Sequence, residues 1–137
     1  MSDMGEPSED LMDLVFTALD HAVDSIEGGG PLIPFLLVES DDGERRIHRF
    51  PGDLEEGQRQ ARETARAVSG HARAAVAWDG YLTLDDVRTD ALFVEASEVG
   101  DAESVLIGQR YEMAGRIRKK IQPLGNPGFL PPGEPLF

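Results

Sequence analysis

Cysteine is absent from all 137 residues. That removes disulfides, thiolate metal sites and cysteine nucleophiles from consideration. Lysine and arginine are absent from residues 1–44, yet this stretch holds twelve of the 26 acids. Residues 45–137 hold the other fourteen acids and all thirteen bases. The charge is therefore −12 before Arg45 and −1 from there on, which together make the formal net charge of −13. A field of that sign repels duplex DNA and anionic membranes, so neither nucleic acid nor membrane is an expected partner. Long apolar runs are also absent. The longest, over 32–38, is far too short to cross a bilayer. Residues 1–10 are acidic and lack the basic-then-apolar pattern of a secretory signal, so a cytoplasmic location is expected.

What is present fits one ordinary domain. Hydrophobic residues make up 40% of the chain, enough to bury a core without covalent staples. Eleven of the thirteen bases are arginine, which with abundant alanine suggests GC-rich bacterial coding. The expected organisation is a flexible leader over 1–8, a single domain over 9–122, and a tail over 123–137 with five prolines and three glycines.

Periodicity places the elements. Leu11, Val15, Ala18, Leu19, Ala22 and Ile26 recur at three- and four-residue spacing, which predicts a helix to about residue 27, stopped by Gly28-Gly29-Gly30. An apolar run over 31–40 reads as a buried strand, and Asp41-Asp42-Gly43-Glu44 as a turn into a second strand over 45–50. Asp53 and Glu56 have the spacing of a capping box, so a helix is expected over 53–69 with a thin stripe of Leu54, Ala61, Ala65 and Val68. Strands follow over 73–84, 89–99 and 104–113, with Gly80 expected to mark a bulge and Asp85-Asp86 a turn. A short basic helix is expected over 114–122.

These elements give an α+β two-layer sandwich in the order α-β-β-α-β-β-β-(short α)-tail, with a mainly antiparallel five-stranded sheet. The order helix, two strands, helix, three strands, helix resembles the roadblock type of dimeric regulatory domain. Size and acidity are similar to those of secretion chaperones that bind extended substrates, although those carry three strands between their helices. The resemblance implies a dimeric, regulatory protein and assigns no residue a role.

The residues that carry chemistry elsewhere are poorly organised for it here. His21, His48 and His71 are too far apart for helical metal spacing. Asp41-Asp42-Gly43-Glu44 lacks the alternating ligands of a calcium loop. No serine lies in a nucleophile elbow, and Gly28-Gly29-Gly30 precedes a strand rather than a helix. No catalytic residue, metal ligand or cofactor is assigned. Trp78, Asp79 and Tyr81 form the densest aromatic spot and are the candidate lining of a ligand pocket. Asp13, Asp20 and Asp24 project from the first helix without a countercharge, and Arg116, Arg118, Lys119 and Lys120 are the basic cluster expected to meet them, within the chain or from a twin. Phe129, Leu130, Leu136 and Phe137 are apolar residues among the prolines of the tail, which is expected to dock, with Phe129, Leu130 and Phe137 as candidate contacts. The expected function is a non-enzymatic protein-interaction or regulatory module. It self-associates or binds another protein, and an acidic antagonist of immunity type is one form of it. The alternative is a small-ligand binder or enzyme with a pocket near Trp78 and Tyr81.

Overall fold

The computed structural model describes residues 7–27, 32–67, 70–101, 103–114, 120–131, 133 and 136–137. Among the described residues there are two helices and, in place of the five strands expected, seven: α1 (Glu9–Glu27), β1 (Phe35–Ser40), β2 (Arg45–Arg49), α2 (Leu54–Ala67), β3 (His71–Leu84), β4 (Val87–Glu98), β5 (Val105–Ala114), β6 (Lys120–Pro123) and β7 (Gly128–Leu130). The strands make one sheet in the order β2-β1-β3-β4-β5-β6, and β7 also pairs with β5. Every pairing is antiparallel. The α+β class and the antiparallel sheet are as the sequence implies.

The layering is not. The two helices lie on opposite faces of the sheet, so the two-layer arrangement is replaced by a sheet with cover on each side. Alternation along the strands explains this. Phe35 and Leu37 of β1, with Ala75 and Ala77 of β3, pack against α1. Their neighbours Leu36, Val38, Ala74 and Val76 join a second core with Ala61 and Ala65 of α2. A strand that is apolar at consecutive positions has no solvent side, and each face must be buried.

The cover differs between faces. α1 buries Leu11, Leu14, Val15, Ala18, Leu19, Ala22 and Ile26. Each large aliphatic among them contributes about 1.5–3 kcal/mol relative to exposure. Ser8 caps this helix, its hydroxyl accepting from the Leu11 amide at 3.0 Å. α2 buries only Gly57, Ala61 and Ala65. The capping box is not realised, because the Glu56 carboxylate turns to Arg59. A narrow face of small residues lies close to the sheet and leaves much of it bare.

The tail completes the second face. The Ser97 hydroxyl accepts from the Leu136 amide at 2.9 Å, and the Gly133 carbonyl accepts from the Ser104 amide at 3.0 Å. Leu136 is 2% exposed within the α2-side core, and Phe137 packs there edge-on to His71 with ring centroids 4.1 Å apart. Upstream, β6 and β7 share the outer edge of β5 in tandem. The short basic helix expected over 114–122 is therefore corrected at both ends: Ala114 closes β5, the chain from Lys120 is β6, and 115–119 lie outside the described residues. A further correction concerns Gly80, which marks no bulge, since β3 and β4 pair without a register shift through it. A Cβ there would come within 3.1 Å of the Phe93 ring, so the glycine makes room for an aromatic.

Asp85-Asp86 closes the β3–β4 hairpin as a two-residue turn, with Leu84 opposite Val87 and both aspartates at positive φ (51° and 64°). That geometry is the type I′ turn, which favours Asn-Gly. Replacing Asp85-Asp86 by Asn-Gly is expected to stabilise the protein by about 0.5–1 kcal/mol in urea unfolding. On the opposite side of the ledger of cover, Leu136→Ala is expected to cost about 2–4 kcal/mol in the same assay, as for other deletions from a packed core.

Candidate functional site

The alternation that shapes the core also divides the expected aromatic spot. Trp78 lies on the α2 side of β3, where it stacks on Phe93 with ring centroids 5.5 Å apart and 18° between planes. The Arg62 guanidinium sits 5.6 Å from the Trp78 ring and is anchored by Glu95 at 2.5 Å. Gly108 on β5 lies opposite Phe93, so glycine flanks this ring on both neighbouring strands. Asp79 and Tyr81 point to the other face, the α1 side. The three residues do not share a pocket.

Asp79 and Tyr81 instead meet residues brought by register. Tyr81 pairs with Asp90, and Asp90 with Tyr111, in one row across β3, β4 and β5. The Tyr111 hydroxyl donates to Asp79 Oδ1 at 2.9 Å. Arg88 lies over the Tyr81 ring, 3.8 Å from its centroid. Together with Thr89, Glu112 and Leu124, Tyr81, Arg88, Asp90 and Tyr111 line an open cleft of about 320 Å³. Burial raises the Asp79 carboxyl above its ordinary range, the Tyr111 hydrogen bond opposes this, and the Asp90 charge adds to it. Burial, then the hydrogen bond and charge of Asp79, push the Tyr111 phenol upward. Tyr111 therefore stays protonated near neutrality and serves as a hydrogen-bond donor. The cleft is suited to holding a small polar group.

The helix side of the molecule carries the stronger electrostatic feature. Asp13, Asp20 and Asp24 are exposed on α1, and none of their carboxylates has an ion-pair or hydrogen-bond partner among the described residues. Phe16, on the same outer surface, is 45% exposed. Of the basic cluster expected to oppose them, Arg116, Arg118 and Lys119 lie outside the described residues, and only the backbone of Lys120 is described, in β6. Other cations do approach α1. Arg45 Nη1 donates to Thr17 Oγ1 at 3.5 Å, and Arg49 Nη2 donates to His21 Nε2 at 3.1 Å. Both come from β2, the terminal strand of the sheet. Their alternate positions in a strand place them on one face, a signal available from the sequence once the hairpin register is known.

The tail residues separate by role. Phe137 belongs to the second core and Leu130 packs over Gly108, whereas Phe129 is 66% exposed. Among the described residues, no group of three or more histidines and carboxylates is placed to hold a metal ion, and no helix is long and apolar enough to cross a membrane.

No protein-family model, curated protein or solved structure matches this chain. The element order that resembles the roadblock type ends in a helix, whereas the described residues after β5 form β6 and β7.

The environment of Asp79 makes a pH-dependent prediction. A carboxyl whose folded pKa is raised contributes stability that is full below its unfolded value, near 3.9, and is lost as pH rises through the folded value. Asp79→Asn keeps an acceptor for Tyr111 and removes the half-buried charge. The variant is expected to melt above the parent at pH 7, with the difference closing at about pH 3. A melting series across that range measures it.

Proposed function

We propose that this protein is a non-enzymatic, cytoplasmic protein-interaction module whose contact surface is the acidic outer ridge of α1 together with the adjoining strand β2. The ridge carries the reading. Asp13, Asp20 and Asp24 repel one another along a single helical face, and an apolar ring, Phe16, is held in solvent beside them. A basic protein surface relieves the repulsion and covers the ring. The most specific form of this reading is an acidic antagonist that masks a basic toxin or nuclease. Electrostatic complementarity of this kind speeds encounter and makes binding fall with salt.

A second reading, small-ligand binding, is supported by the cleft at Tyr81, Arg88 and Tyr111. A thermal-shift panel of metabolites separates the two: stabilisation of the parent that is lost in Tyr81→Ala favours the ligand, and a flat panel counts against it.

The interaction reading is tested by affinity capture from native cells with the parent and with Asp13→Lys/Asp20→Lys, both checked for fold by circular dichroism. The parent is expected to retain a specific partner that dissociates with salt, and the charge-reversed variant to lose about tenfold or more of that recovery. Equal recovery by both proteins removes the ridge as the contact surface.

A further inference from the structure

Beside the acidic ridge runs a basic ledge. α1 rests on β1, β3, β4 and β6. A helix is about 10 Å across, so α1 stands above the sheet as a step, with β2 as the lower tread. Arg45 and Arg49 lie along the inner angle of that step, where they touch Thr17 and His21. Arg45 and Arg49 are exposed on the α1 side of β2, where Arg45 also pairs with Glu39 at 2.6 Å, and the sheet ends at β2. A raised row of carboxylates and a lowered pair of guanidinium groups therefore lie adjacent on one surface, in touch at Thr17 and His21.

Such a surface complements itself. Rotation by half a turn about an axis along the seam lays the ridge of one copy over the ledge of another, and the reverse contact forms at the same time. Because the axis runs along the seam, residues keep their level. Arg45 meets α1 at Thr17 and Arg49 meets it at His21. Asp20 and Asp24, one position before and three after His21, then face the partner's Arg49. Asp13 and Asp20, four before and three after Thr17, face the partner's Arg45. Shape and charge agree, since each step fills the other and the three carboxylates share two guanidinium groups, Arg49 and the Glu39-paired Arg45.

Resting on the interaction reading above, we infer that the occupant of this surface is a second copy of the same chain, in an isologous dimer through the α1 ridge and the β2 ledge. The contact is polar for the most part, so its affinity depends on ionic strength.

Sedimentation equilibrium of the full chain tests the inference. At about 50 mM salt the mass is expected to approach that of a dimer with rising concentration, and at about 500 mM salt to fall toward that of a monomer. Asp20→Arg alone and Arg49→Asp alone are each expected to weaken the dimer by about tenfold or more, since each places like charges opposite one another. The double variant Asp20→Arg/Arg49→Asp restores opposite charges across the two-fold axis and is expected to return to within about threefold of the parent. That restoration also shows that neither single variant failed by misfolding. A monomer at all concentrations, or a dimer that neither single variant weakens, overturns the inference. A monomer that still captures a basic partner through Asp13 and Asp20 overturns the dimer and leaves the interaction reading standing. A monomer with no such capture removes both.

Discussion

Consecutive apolar residues in β1 and β3 oblige the sheet to be covered twice. In Phe35-Leu36-Leu37-Val38 every side chain is buried, and adjacent ones point to opposite faces. α1 meets the demand on one side with a full apolar stripe. α2 cannot do the same, because Gly57, Ala61 and Ala65 supply little area. The remaining cover comes from the far end of the chain, where Leu136 and Phe137 dock beside α2. The prolines that keep the tail from forming helix also lower the entropy lost when it docks. Two serines, Ser97 in β4 and Ser104 just before β5, fix its path by hydrogen bonds to the tail backbone.

A charged knot ties the other end of the sheet to α1. Glu39 is 6% exposed and accepts from Arg45 and Arg73, each at 2.6 Å. Arg73 also pairs with Glu98 at 2.8 Å and lies 3.7 Å from Asp10, and the Ser8 hydroxyl donates to Glu98. Four strands and the helix start thereby share one network. Burial alone would raise the Glu39 carboxyl, but the hydrogen bonds and charges of Arg45 and Arg73 outweigh it and hold it below the ordinary range. A lowered folded pKa contributes stability above the unfolded value, and that stability is lost as pH falls through the folded one. Glu39 and Asp79 thus act on opposite limbs of the acid response. One of the arginines that approach the ridge also belongs to this knot, since Arg45 touches both Glu39 and Thr17.

Local signals were legible where one residue type decides the outcome. Helical spacing placed α1, and Asp41-Asp42-Gly43-Glu44 gave the first hairpin, where the Asp42 carboxylate is engaged by Ser40 and by the Glu44 amide within the turn. The layering was hidden because a continuous apolar strand is compatible with cover from one helix or from two, and only alternation counted across paired strands separates them. Gly80 was misread for a related reason: its glycine is required by Phe93 on the next strand, a contact invisible without register. The candidate pocket failed on parity. Trp78 and Asp79 are neighbours in sequence, which in a strand sets them on opposite faces. Asp85-Asp86 held the missing information, since a two-residue turn with 84 opposite 87 fixes 81 opposite 90 by counting. The Tyr111 partner needed a second register, set by a longer connection whose length alone does not determine pairing.

The lopsided charge of the sequence becomes, in the fold, a matter of neighbouring stripes. α1 carries acids toward a C-terminal end that has no base in its last turn, against the preference of the helix dipole. Asp20 and Asp24 add like-charge repulsion at helical spacing, a cost of about 0.2–0.5 kcal/mol for such a pair. The stripe of Leu and Val beneath them outweighs costs of this size many times over, so the ridge is tolerated by the core and is not a product of helix stability. Its effect lies outside the monomer. A row of carboxylates without ion-pair partners among the described residues disfavours the approach of other negative charge. The hairpin that follows α1 returns the first bases of the chain to the margin of that row. A chain whose first third lacks bases has therefore folded so that Arg45 and Arg49, among its first bases, lie beside the acids of α1.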